Sequence, residues 1–134
     1  MSFFPGKLQK EKARPTGPTG RAGEDAAAAF LLGRGYRIIA RNYRRRFGEI
    51  DIIAEDGAVL VFVEVKARKT ARFGNPFEAV DRRKQRQISR VALDYITRHK
   101  EENRPARFDV VAVELKEGAP PRVEMIKDAF EFCG

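Results

Sequence analysis

Three residues near the middle of the chain have the types and the order of a divalent-metal site. Asp51 lies upstream of the triplet Glu64-Val65-Lys66. Mg²⁺ and Mn²⁺ prefer oxygen ligands and leave coordination positions for water and phosphate. Asp51, Glu64 and the backbone carbonyl of Val65 could hold such an ion. The ion would polarise a phosphodiester and activate a water molecule oriented by Lys66, so no nucleophilic side chain is required.

These polar residues stand in strongly apolar segments. Isoleucines surround Asp51, and the run 59–63 before Glu64 consists of valine, leucine and phenylalanine. Carboxylates and a lysine are costly to bury unless something neutralises them, which favours a bound cation. The alternative is an ordinary ion pair between Glu64 and Lys66 at a strand end, with Asp51 capping the turn region.

A β-hairpin is expected to bring the candidate residues together. If Asp56 and Gly57 are the central turn residues, the ladder sets Asp51 opposite Phe62. Because side chains alternate with a period of two, both carboxylates and the lysine then project from one side of the hairpin. The carboxylates become diagonal neighbours within several ångströms. A bulge would break this parity.

The hairpin belongs to a longer series of elements with apolar periodicity. The pattern predicts a helix over 20–32, strands over 36–44, 47–54 and 59–65, a long helix from the capping sequence Asn75-Pro76-Phe77-Glu78 to about Glu102, and strands over 108–115 and 122–126. The last strand is expected to be short and at the sheet edge. The order αβββαββ predicts an α/β sandwich, a mixed central sheet with helices on both faces.

Composition narrows the function classes. Residues 1–19 are basic and rich in proline and glycine, which predicts a flexible tail before a single domain over 20–134. The net charge of +8 favours a polyanionic partner. No apolar stretch approaches the length of a membrane span, so we expect a cytoplasmic protein without a membrane partner. With a single cysteine, Cys133, and a single histidine, neither an intrachain disulfide nor a Cys/His zinc cluster is expected.

Basic residues flank the candidate site on both sides in the sequence, which predicts contacts to a nucleic-acid backbone. Any one of them could instead be solvated. Lys84, which falls on the apolar stripe of the long helix, could also turn toward the metal site or extend its ammonium group to solvent. The candidates are Arg41, Arg44, Arg45, Arg46, Arg68, Lys69, Arg72, Arg82, Arg83 and Lys84.

The arrangement of Asp51, Glu64 and Lys66 resembles the PD-(D/E)XK nuclease superfamily, which has a restriction-endonuclease-like fold. Ile50 stands where the superfamily name has proline. The wider sequence looks like the YraN-type family of uncharacterised bacterial proteins. The matching segments are Gly20–Glu24, Arg41–Arg44, Gly48–Ala54, Phe62–Arg68 and Arg107–Val111.

That family is similar in layout to archaeal Holliday junction resolvases, in which a glutamate of the first helix joins the metal site. The resemblance makes Glu24 a fourth candidate catalytic residue, although an acid in the first turn also complements the helix dipole. It implies a Mg²⁺- or Mn²⁺-dependent endonuclease acting on DNA rather than RNA, with branched or junction DNA as one substrate class. Because the related resolvases act as dimers, a homodimer is one assembly that the resemblance allows.

Two other functions remain open at this point. A nucleic-acid-binding protein could keep the nuclease-like fold and its charge without cleaving. A basic adaptor for a protein partner would associate in a salt-insensitive way and have no affinity for nucleic acid. The unsubstituted Asp51, Glu64 and Lys66 favour the nuclease.

Overall fold

A computed structural model describes residues 18–69 and 80–133, whose strands form one five-stranded sheet. The elements are α1 (Pro18–Gly33), β1 (Arg37–Arg45), β2 (Gly48–Asp56), β3 (Val59–Arg68), α2 (Arg82–Arg98), β4 (Ala106–Glu114) and β5 (Arg122–Phe130). This order confirms the predicted αβββαββ arrangement and the α/β class.

The strands lie side by side in chain order, β1-β2-β3-β4-β5. Only β3 and β4 are parallel, and α2 lies in the connection between them; the other neighbouring pairs are antiparallel. The sheet is therefore mixed, as predicted, and the arrangement is consistent with a restriction-endonuclease-like sandwich.

Each face of the sheet is covered by one helix and has its own apolar core. Phe62 and Phe108 pack with Val91 of α2 on one face. Val61 and Val111 pack with Leu31 of α1 on the other. Burying one such side chain contributes about 1.5–3 kcal/mol. Because β3 is apolar on both faces, a charged residue within it has no solvated side to turn to.

The second helix is shorter than predicted at both ends. Val80 and Asp81 are not helical, and the Asp81 side chain accepts a hydrogen bond from the Lys84 backbone N–H at 2.9 Å as the N-cap of α2. A continuous helix from Asn75 is therefore wrong, because this aspartate caps the helix at a later position. The predicted capping sequence at 75–78 lies outside the described residues. At its other end α2 stops at Arg98 rather than near Glu102.

The last strand differs from the prediction in length. Strand β5 occupies the sheet edge as expected, but it spans Arg122–Phe130 because it pairs with β4 nearly throughout. The predicted tail over 1–19 lies almost entirely outside the described residues, and α1 already begins at Pro18. Neither helix of the described ranges is long and apolar enough to cross a membrane.

Candidate metal and nucleic-acid site

The β2–β3 hairpin brings Asp51 and Glu64 together in a different register from the one predicted. Asp56 pairs with Val59, so the turn residues are Gly57, in a left-handed conformation with φ of 60°, and Ala58. The predicted Asp56-Gly57 turn is therefore wrong by one position, and the ladder shifts by two. The last paired residues are Ile52 and Val63. Asp51 and Glu64 occupy the next positions and lie side by side rather than diagonally.

The regular alternation of side chains breaks at Asp51. Ile50 and Ile53, three positions apart, both pack in the core under α2, whereas Ile52 packs in the core under α1. Tyr43 and Ala40 of β1 pair with Ile50 and Ile53 and pack against the same α2-side core. Both strands are therefore irregular at the same level of the sheet.

The Asp51 side chain accepts a hydrogen bond from β3 beyond the point where the backbone pairing between β2 and β3 ends. Its Oδ2 accepts a hydrogen bond from the backbone N–H of Val65 at 2.8 Å. Burial raises the pKa of Asp51 well above its ordinary value of 3.8, and the negative charge of Glu64 raises it further, against the lowering effect of the Val65 N–H. Within residues 18–69 and 80–133, no lysine or arginine forms an ion pair with Asp51.

Glu64 is nearly inaccessible, with 5% of its surface exposed, and two lysines neutralise it. Lys66 Nζ lies 3.2 Å and Lys84 Nζ lies 3.6 Å from the same oxygen, Oε2. Lys66 comes from β3 itself, whereas Lys84 comes from the first turn of α2, which the Asp81 cap fixes in place. Glu64 is thus held from two sides, by a lysine of β3 and by a lysine of α2, which covers the sheet.

The donor set fits a hydrated divalent cation. Asp51 Oδ1 and Glu64 Oε1 have no hydrogen-bond partner among the described residues, while the other oxygen of each carboxylate is held. Because the N–H and C=O of one strand residue point toward the same neighbouring strand, the Val65 carbonyl also faces the gap beside Asp51. In the described part of the chain, no three His, Cys, Asp or Glu side chains could hold a metal by themselves. Two carboxylates completed by a carbonyl, water and phosphate are a donor set that Mg²⁺ accepts.

Glu24 lies close to this site on α1 and is also buried, with 7% of its surface exposed. Its charge is one of the causes that raise the pKa of Asp51. Arg41 Nη2 at 3.0 Å and Asn42 Nδ2 at 2.9 Å both donate to its Oε1. The structure therefore places the fourth candidate beside the pair of carboxylates and attaches it to β1.

The basic residues predicted to contact phosphate fall into two groups, those that form ion pairs with acids of the fold and those that do not. Three arginines of β1 are bound to acids of the chain: Arg41 to Glu24 and Asp25, Arg44 to Glu49, and Arg45 to Asp94. Their charge is largely compensated within the fold, so they contribute less positive potential than the sequence suggests. Arg72 lies outside the described residues.

The other group carries uncompensated charge around the site. Arg46 at the β1–β2 turn, Lys69 after β3, and Arg82 and Arg83 at the start of α2 are exposed. None of them forms an ion pair with another described residue, and neither does the half-buried Arg68. They lie on elements that border the Asp51–Glu64 pair. Lys84 does not belong to this surface, since it binds Glu64.

Sequence reasoning did not single out Asn42. Asparagine is depleted in strands, but it tolerates the left-handed backbone conformation better than most residues do. An asparagine within a predicted strand that precedes an acidic hairpin is the signal that could have identified it. The sequence allows Lys84 either to turn toward the candidate metal site or to extend to solvent, and in the structure its ammonium group lies 3.6 Å from Glu64 Oε2.

Comparison with known proteins identifies relatives over most of the chain. The model of the uncharacterised protein family UPF0102 matches residues 23–113. A UPF0102 protein of Syntrophus aciditrophicus is 55% identical over 116 residues, covering 86% of this chain and 90% of the relative. A UPF0102 protein of Symbiobacterium thermophilum is 56% identical over 111 residues, covering 83% and 94%. The chain therefore belongs to the UPF0102 family.

Proposed function

We propose that this protein is a divalent-metal-dependent endonuclease that cleaves DNA. The observation that carries the proposal is the pair formed by Asp51 and Glu64 where the ladder between β2 and β3 ends, with each carboxylate held by one oxygen. The arrangement supports metal-dependent phosphodiester hydrolysis, because a buried pair of acids with two lysines beside it combines cation binding with stabilisation of negative charge.

The roles of the side chains follow from their contacts. The Val65 N–H fixes Asp51, and the two lysines fix Glu64, so the remaining carboxylate oxygens are oriented before a cation binds. Mg²⁺ or Mn²⁺, when bound, supplies the charge that polarises the phosphodiester and lowers the pKa of water. Lys66 is the group on the sheet that can orient a water molecule or offset charge on the phosphate.

The exposed basic residues support a nucleic-acid substrate. Arg46, Lys69, Arg82 and Arg83 present charge that no described acid compensates, and such groups bind phosphate in a sequence-independent and salt-sensitive manner. DNA, with branched or four-way-junction forms among the substrates, is the class implied by the resemblance to junction resolvases. We also propose that the protein is located in the cytoplasm. A homodimer is the assembly to test for in solution.

The decisive experiment is cleavage of labelled four-way junctions, flaps, duplexes, single strands and RNA, in Mg²⁺, in Mn²⁺ and in EDTA. Wild type is compared with Asp51→Asn and Glu64→Gln, which keep the shape of each side chain and remove its charge. Glu49→Gln is the matched control, since that carboxylate is paired with Arg44. We expect metal-dependent cutting that both site variants lose by a factor of about 100 or more and the control retains. Binding of DNA without cutting in either metal would instead assign a non-catalytic nucleic-acid-binding function.

Binding is tested separately, in EDTA. The double variant Arg82→Glu/Arg83→Glu should weaken binding of every DNA sequence and reduce the slope of log K against log salt concentration by about one for each lost phosphate contact. Arg122→Glu is the control, because Arg122 is also exposed but lies on β5 at the far edge of the sheet, where Glu114 and Glu124 pair with it. The double variant changes the net charge by four and the control by two, so a loss of affinity in the control about half as large as that in the double variant would show that only net charge matters and would refute the assignment of this surface.

A further inference from the structure

Asn42 of β1 lies at the level of the candidate metal site. The neighbouring pairs are Arg41 with Ile52 and Tyr43 with Ile50, so Asn42 lies directly opposite Asp51. Residues opposed in this way have their Cβ atoms about 5 Å apart. Asn42 is therefore the β1 residue at the level where Asp51 leaves the regular ladder.

The side chain of Asn42 is only half satisfied. Its Nδ2 donates to Glu24 Oε1 at 2.9 Å, which connects β1 to α1 beside the site. Its Oδ1 is buried and has no hydrogen-bond donor among the described residues. Buried amide oxygens nearly always have a partner, so an unpartnered one next to a candidate site calls for an explanation.

The backbone of Asn42 is also unusual, with φ of 56°. Non-glycine residues rarely adopt this left-handed conformation within a strand, and such residues cluster at functional sites. Here the conformation coincides with the break in side-chain alternation that directs Ala40 and Tyr43 to the same core. The left-handed residue is part of what turns the Asn42 side chain away from that core.

We propose that Asn42 is a positioning residue of the cation site. Its amide nitrogen holds Glu24, and its amide oxygen is a neutral acceptor for the hydration shell of a bound divalent cation. This inference rests on the proposed function, because it requires that a cation bind beside Asp51. A purely structural role, in which asparagine is present only because it tolerates the left-handed conformation, makes a different prediction for glycine.

The test separates the backbone from the side chain by measuring Mn²⁺ affinity calorimetrically on the full chain, without DNA. Asn42→Gly keeps the left-handed conformation and removes both polar atoms, whereas Asn42→Ala removes the same atoms and strains the backbone. Lys100→Gly is the matched control, since Lys100 has the same φ of 56° just after α2. Thermal melting of each variant establishes that it is folded.

We expect Asn42→Gly to melt close to wild type and to bind Mn²⁺ roughly 10- to 100-fold more weakly, the loss typical of residues that orient metal ligands. Lys100→Gly should bind as wild type does. Unchanged Mn²⁺ affinity in Asn42→Gly would overturn the inference, even if Asn42→Ala binds poorly, and would leave the metal site itself intact. Absence of Mn²⁺ binding by wild type would overturn the metal site and this inference together.

Discussion

Replacement of Asp51 by asparagine should stabilise the protein in the absence of metal. The buried carboxylate lies next to Glu64 and is compensated by one backbone N–H and by no ion pair within the described ranges. Asparagine has nearly the same shape, and its amide oxygen can accept the same hydrogen bond. The substitution therefore removes the desolvated charge and leaves the local packing in place.

The magnitude follows from the geometry of the pair. Two unit charges about 5 Å apart, the spacing of opposed strand residues, repel by about 3 kcal/mol at an effective dielectric constant of about 20. Lys66 and Lys84 offset part of this repulsion through Glu64. A gain of about 1–2 kcal/mol in the free energy of unfolding is expected, which for a domain of this size raises Tm by about 3–8 °C.

The sign of the pH dependence is fixed by the direction of the pKa change. Because the pKa of Asp51 is higher in the folded than in the unfolded protein, ionisation of Asp51 penalises the fold. The gain in the free energy of unfolding that Asp51→Asn brings over wild type should be absent below about pH 3.8. It should grow as the pH rises above that value and level off above the raised pKa of Asp51. Saturating Mn²⁺ should stabilise wild type and abolish the difference in stability between wild type and Asp51→Asn.

Calorimetric melting of wild type, Asp51→Asn and the control Glu49→Gln in EDTA, at pH 4 and pH 7, measures this directly. The control should melt at or below the wild-type temperature, since Glu49 is paired with Arg44 at 2.7 Å. A lower Tm for Asp51→Asn at pH 7, or an advantage equally large at pH 4, would refute the reasoning, because Asp51 would then not be a destabilising charge.

Two further substitutions test how the fold supports the site. In Gly23→Ala the new Cβ would overlap the Cβ of Ala67, so α1 must move away from the sheet and take Glu24 with it. We expect chemical denaturation to show a loss of about 1–3 kcal/mol in the free energy of unfolding. An unchanged free energy of unfolding would show that the helix can shift freely. Asp109→Asn should cost about 3 kcal/mol or more, because Asp109 is fully buried and neutralises Arg107 at 3.0 Å; a Tm within 2 °C, roughly, of wild type would contradict this.

The fold was largely predictable because its determinants are local. Apolar runs such as 59–63 and the periodicity around Val91 reflect burial against neighbouring layers, and the structure contains the corresponding strand and helix. The start of α2 was not predictable in the same way. Asparagine and aspartate are both good capping residues, so capping preference in the sequence does not favour Asp81, which caps α2, over Asn75.

The candidate site was predictable in composition but not in geometry. Period-two alternation does place Asp51 and Glu64 together, and a shift of two residues in the hairpin preserves that parity. The contact of Lys84 with Glu64 depends on where α2 crosses the sheet, and the role proposed for Asn42 depends on its own left-handed conformation in β1. Neither is encoded in the spacing of the acidic residues.

The chemistry proposed at Asp51 depends on the break in the sheet there. In a regular ladder, the N–H and C=O of Val65 would both bond to β2 and could serve no other group. Where β2 leaves the ladder, the Val65 N–H donates to Asp51. The Val65 carbonyl would then be available to the proposed cation. An irregular pair of strands would therefore be the means by which a buried, otherwise apolar hairpin supplies oxygen ligands to the proposed cation. A variant that restored regular pairing at this level should gain stability and lose metal binding.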